Sequence, residues 1–234
     1  MDSNFEKAAI AIFIAMFMDG LDGRVARLTS TESDFGKEYD SLADMVSFGL
    51  APALVVYEWG GEALREIGWA WGKFGWLAAF FYAVCAAFRL ARYNTKDGPA
   101  DKRFFEGLPS PSAAALVAAL VWLGTDYNIT GAPAFIGAFF FTAAAGALMV
   151  SNLLYYSGKE FNLGTRVSFA FLLVIPAVFM LISLEPPLVL FLLAFGYAAS
   201  GPLLGIYRIA RRRRGRPDII AAAVKNTDDH SEAA

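Results

Sequence analysis

Seven apolar stretches constrain this chain more than any other feature. They fall at about 5–27, 40–57, 72–93, 110–125, 132–153, 166–184 and 187–207, most of them at or above the ~18 residues that carry a helix across a bilayer. Inside hydrocarbon each backbone N–H and C=O must find its partner within the segment, so such stretches fold as helices. With 57% of its 234 residues hydrophobic, the chain reads as an all-α, polytopic integral membrane helix bundle of about seven transmembrane helices. One domain over residues 1–207 is expected. A basic, then polar, tail would follow over 208–234 and end in disorder. Gly60-Gly61, Pro109, Pro133 and Pro186-Pro187 mark the expected junctions, and Pro176 is expected to kink its helix.

Orientation comes from the basic residues, of which 17 of 20 fall in alternate connections and the tail. Arg24, Arg27 and Lys37 lie in the first such connection; Arg89, Arg92, Lys96, Lys102 and Arg103 in the next; Lys159 and Arg166 in the last. By the positive-inside rule that face is cytoplasmic. Trp59, Trp69, Trp71 and Trp76 then gather at the external interface, where indole rings prefer to sit. The Arg211–Arg214 run, directly after a span, reads as a topology determinant that attracts anionic lipid rather than as a nucleic-acid site. Seven spans with a cytoplasmic C-terminus put Met1 outside without a signal sequence, so a further membrane helix is expected upstream. The single cysteine, Cys85, reads as a buried structural thiol, and the single histidine, His230, lies in a polar tail and lends almost no support to a histidine nucleophile or a histidine-rich metal site.

Against this background the acids at Asp19, Asp22, Asp40 and Asp44 stand out. An aspartate at the centre of a membrane helix costs roughly 2.5–3.5 kcal/mol on insertion scales, so four in one hairpin call for a cation or a reaction. Asp19, Gly23 and Arg27 follow i, i+4, i+8 spacing, Asp22 and Ala26 are i, i+4, and so are Asp40 and Asp44. Each set shares one helical face, and an antiparallel pair joined by the polar turn Thr29 to Asp34 would bring the faces together. Gly23 and Ala26 leave room beside the backbone. Hard oxygen ligands in this number select Mg²⁺, Mn²⁺ or Ca²⁺ over zinc, and a pair of such ions can clamp a pyrophosphate. The fourth acid is then available to take a proton from an incoming hydroxyl.

The pattern Asp19-x2-Asp22-Gly23-x2-Ala26-Arg27-x8-Gly36-x3-Asp40-x3-Asp44 resembles, at every defined position, the signature of the CDP-alcohol phosphatidyltransferases. The resemblance implies that Asp19, Asp22 and Asp40 bind two divalent cations, Mg²⁺ or Mn²⁺. It also implies that Asp44 both contacts metal and acts as the catalytic base. Gly23, Ala26, Arg27 and Gly36 would line the CDP-lipid pocket, and Ser33 falls where relatives place a turn hydroxyl on the substrate. Those relatives begin with another membrane helix, in agreement with the topology argument, and a homodimer is implied.

Phe105-Glu106-Gly107-Leu108-Pro109-Ser110-Pro111 is similar to an element of the bacterial membrane-embedded phosphatidylserine synthases, as are Tyr39–Gly49 and Arg89–Asn94. This similarity implies transfer of a phosphatidyl group from CDP-diacylglycerol to L-serine with release of CMP, at the cytoplasmic face of the bacterial inner membrane. Arg89 and Arg92, with Asn94 and Ser110, are candidates for holding serine or phosphate, since a guanidinium fork grips either group bidentately. The same arginines also read as ordinary snorkelling charge. Other acceptors (glycerol 3-phosphate, inositol phosphate or choline) remain open, as does a divalent-cation transporter or scaffold, although the latter leaves the fixed glycine spacing unexplained.

Overall fold

The computed structural model describes residues 4–29, 33–95, 104–156, 176–177 and 180–213. Helix α1 (Phe5–Thr29) is followed by α2 (Asp34–Asp44), which passes through a π-helical turn (Met45–Leu50) directly into α3 (Ala51–Ile67). After Gly68 come α4 (Trp69–Asn94), strand β1 (Phe104–Glu106), α5 (Ser110–Asp126), α6 (Ala132–Val150), strand β2 (Leu154–Tyr156) and α7 (Pro186–Arg213). Four helical segments are long and apolar enough to cross a membrane by length and composition: Asp34–Ile67, Trp69–Asn94, Ala132–Val150 and Pro186–Tyr207. The expected membrane helix bundle is therefore present. The expected span at 166–184, with the Pro176 kink, lies mostly outside the described residues, as does the tail beyond Arg213.

The 17-residue, alanine-rich α5 packs against α1, α3, α6 and α7. Its Ala113, Ala114, Val117, Ala118 and Ala119 are fully buried, as small side chains allow when helix backbones approach closely. Around it α3, α4 and α6 interlock through glycine notches. The Phe135 and Phe139 rings fill the space beside Gly60, and Gly146 sits against the Tyr82 backbone. Cys85 is buried in this core, as expected.

Two features depart from the sequence reading. The second helix does not end at 57 but continues through Gly60-Gly61 to Ile67, because those glycines admit aromatic rings from α6 and from Tyr57 instead of making a turn. Trp59 is half-buried, in contrast to the exposed Trp69, Trp71 and Trp76; it lies over Gly124 and meets Phe135 edge-on at 4.9 Å. A two-stranded antiparallel pair also adds to the helices, with Phe105 opposite Tyr155. It ties the α4–α5 connection to the segment after α6. Gly107 makes the tie possible: at φ +78° it donates its N–H to Leu153 O at 2.8 Å, and Leu108 N–H reaches Leu148 O at 3.0 Å.

Candidate active site

Asp19 and Asp22 project from the C-terminal half of α1 and Asp40 and Asp44 from α2, the two helices forming the hairpin that the spacing predicts. Ser33 starts α2 as its N-cap, its Oγ accepting from the Gly36 N–H at 3.0 Å. Three of the turn's residues, 30–32, lie outside the described residues, and so does the Arg27 side chain.

Carboxylate oxygens of Asp19, Asp22 and Asp40 all lie within 4.8 Å of one another. Oxygens on one Mg²⁺ stand about 2.9 Å apart when adjacent and about 4.2 Å when opposite, so these three would draw inward to share an ion. Asp44 completes the group, within hydrogen-bonding reach of Asp19 and in the field of Asp40. Four carboxylates so close repel one another unless a cation joins them, and an all-oxygen donor set fits a hard divalent ion. Beside them the surface is open: no atom lies within 4 Å of where a Cβ would sit on Gly20 or Gly23. Ala26 is half-buried on the same helix.

The other side of Asp44 faces α4. Arg89 interacts electrostatically with Asp44 and also with Tyr93 and Tyr197, and it donates through Nη1 to Oγ of the fully buried Ser110 at the start of α5. Asn94 donates to Ser41 Oγ at 2.9 Å, pinning the end of α4 to the helix that carries Asp40 and Asp44. Arg92 points elsewhere. Its guanidinium pairs with Glu106, donates to Asn152 Oδ1 at 2.8 Å and reaches the Val150 carbonyl, left open at the end of α6, at 3.3 Å. Of the four residues singled out in this region, the structure thus brings Arg89 next to Asp44 with Ser110 bonded to it, bonds Asn94 to Ser41 of α2, and engages Arg92 with Glu106 and the segment after α6.

The CDP-alcohol phosphatidyltransferase family profile matches residues 1–155. The chain belongs to this family. Among curated relatives, the CDP-diacylglycerol–serine O-phosphatidyltransferase of Helicobacter pylori (strain J99) is 36% identical over 179 residues, covering 75% of this chain and 71% of the relative. The enzyme of the same name from Mycobacterium leprae is 45% identical over 128 residues, 52% of this chain and 40% of the relative. That of Methanocaldococcus jannaschii is 36% identical over 152 residues, 64% and 65% of the two chains. CDP-alcohol phosphatidyltransferases work with divalent cations, and the oxygen cluster described above offers a fitting donor set.

Sequence reasoning missed the roles of several residues around the site of this phosphatidyltransferase. Glu106 and Asn152 hold Arg92, and Tyr197 stands near Arg89 across the long interval between α4 and α7. No local spacing announces such partners. One signal was available in principle: Pro52, inside a helical stretch, leaves the carbonyl four residues earlier without its usual donor and so requires a donor from elsewhere.

Proposed function

We propose that this chain is a phosphatidylserine synthase that transfers the phosphatidyl group of CDP-diacylglycerol to the hydroxyl of L-serine and releases CMP. The observation that carries the reading is the convergence of the Asp19, Asp22 and Asp40 oxygens within 4.8 Å, with Asp44 beside them and Arg89 behind it. The names of the relatives support serine as the acceptor.

In this reading Asp19, Asp22, Asp40 and Asp44 hold two divalent cations, Mg²⁺ or Mn²⁺. When bound, these supply the charge neutralisation that phosphoryl transfer needs. Gly23, Ala26, Arg27, Ser33 and Gly36 surround the nucleotide and its pyrophosphate. An apolar groove of about 460 Å³ along α1, lined by Phe13, Met16, Phe17, Gly20, Leu21 and Arg24, suits a lipid acyl chain with its head near the acids. Asp44 accepts the proton of the serine hydroxyl; the freed oxygen attacks the lipid-bearing phosphorus, and the bond to the bridging oxygen breaks as CMP leaves. Arg89, which faces Asp44 and is held from behind by the buried Ser110, binds the serine carboxylate in this reading, with Asn94 and Arg92 fixing the surrounding elements. The domain covers residues 1–207 and the basic tail 208–234. The protein works as a homodimer in the bacterial cytoplasmic membrane with the aspartate hairpin facing the cytoplasm, in line with the distribution of its basic residues.

The test is to supply the purified full chain with CDP-diacylglycerol, Mn²⁺ and, in turn, L-serine, glycerol 3-phosphate, inositol phosphate or choline. CMP release with serine is expected. Release with another alcohol but not serine refutes the acceptor, and cation flux without CMP release from any of them refutes the reaction class.

A further inference from the structure

A proline inside a membrane helix leaves the carbonyl four residues earlier without an N–H partner, and water is not there to replace it. At Pro52 and Pro202 a buried tyrosine hydroxyl supplies such a donor. Pro52 has no N–H to offer Phe48 O, four residues back, and Tyr82 of α4 donates to that oxygen at 3.0 Å. Pro202 inside α7 removes the partner of Ala198 O, and Tyr155 of β2 donates there at 3.0 Å. Both tyrosines are fully buried.

The first of these junctions lies directly below the acids. The π-helical turn begins at Met45, the residue after Asp44, and closes with the Ala51 N–H on Val46 O, five residues back. Such a turn adds one residue relative to an α-helix, and π-turns within helices recur at functional sites. At 100° per residue, its loss would turn the Asp40–Asp44 face by about 100° against the core-facing Phe48, Pro52 and Val56. Helix α4 runs along it like a ruler: Arg89 faces Asp44, Ala86 lies against Gly49, and Tyr82 holds Phe48. Gly49 packs tightly here: a Cβ on it would stand 3.2 Å from Ala86 Cβ and 2.9 Å from the Met45 sulfur.

We infer that Tyr82 is a positioning residue for the metal site: by replacing the N–H that Pro52 lacks, its hydroxyl holds the π-turn and so sets the angle at which Asp40 and Asp44 meet Asp19 and Asp22. It touches neither substrate nor metal. The inference rests on the metal-binding reading of the acids and adds to it a residue that the signature does not contain.

The experiment is Mn²⁺ binding to the purified full chain, followed by the electron paramagnetic resonance signal of the free ion, beside the thermal midpoint of each variant. Tyr82→Phe is expected to weaken Mn²⁺ binding by about tenfold, the lower end of losses seen when a group that orients metal ligands is removed. Tyr155→Phe deletes the same kind of bond at Pro202, and is expected to lower the midpoint while leaving Mn²⁺ binding at the wild-type value. Adding Pro52→Ala to Tyr82→Phe gives Phe48 O a backbone donor again; the midpoint should recover while Mn²⁺ binding stays weak, because the helix then closes in the α register. Wild-type Mn²⁺ binding in Tyr82→Phe, equal losses in Tyr82→Phe and Tyr155→Phe, or full recovery of binding in the double variant would each overturn the inference. A wild-type chain that binds no Mn²⁺ overturns the metal reading itself and this inference with it.

Discussion

Gly107→Ala offers the sharpest test of how the bundle is tied together at this end. The residue sits at φ +78°, where a side chain costs about 1–2 kcal/mol. The new Cβ would lie 2.2 Å from the Met149 carbonyl oxygen and 3.0 Å from that of Ser151. Both are backbone atoms, so neither can swing aside; the α6 terminus or the β1–β2 pair must move, at the ~1–3 kcal/mol typical of overpacking. Together these terms come to roughly 2–5 kcal/mol. For a chain of this size that corresponds to a fall in thermal midpoint on the order of 4–20 °C. The measurement is a thermal melt of the purified protein in detergent, wild type against variant. A midpoint within about 2 °C of wild type would show that the segment after α6 yields freely, and the argument from close approach would fail.

Gly23→Ala should behave in the opposite way. Its Cβ meets nothing within 4 Å, and alanine gains about 0.5–1 kcal/mol over glycine in a helix, so the melt should be unchanged or higher while the KM for CDP-diacylglycerol rises. An unchanged KM would remove Gly23 from the nucleotide pocket. Asp44→Asn is expected to cut CMP release by about 10²–10⁴-fold while metal-dependent binding of CDP-diacylglycerol persists, and activity near wild type would take the base role from Asp44. Arg92→Ala gives up the Glu106 pair and the bonds to Asn152 and Val150 in a partly exposed setting, for a stability loss of about 1–2 kcal/mol in a melt. Arg89→Ala should instead raise the KM for serine; the reverse assignment of the two effects would refute the division of labour between the arginines.

The hairpin and its acids were legible because their geometry is local. Residues three and four apart share a helical face whatever surrounds the helix, so Asp19 with Asp22 and Asp40 with Asp44 could be placed from spacing alone. Ser33 shows where that kind of reasoning stops: its hydroxyl caps α2 through the Gly36 N–H, a role that only the local backbone reveals. Gly60-Gly61 shows it again. A glycine pair reads equally well as a turn or as a notch for a ring, and the Phe135 and Phe139 rings that decide between them come from another helix.

The amino-acid sequence by itself determined the membrane helix bundle and the four-carboxylate set, since both follow from hydrophobic run length and a 3.6-residue period. Tertiary structure alone decided which distant groups complete them. It placed Tyr82 on the carbonyl orphaned by Pro52, Tyr155 on that orphaned by Pro202, Arg89 against Asp44 and Ser110, and Arg92 on Glu106 and Asn152. The physical reason is the same in each case. A buried polar group must find a partner, but the chemistry of the group names only the kind of partner, and packing across the bundle selects the residue.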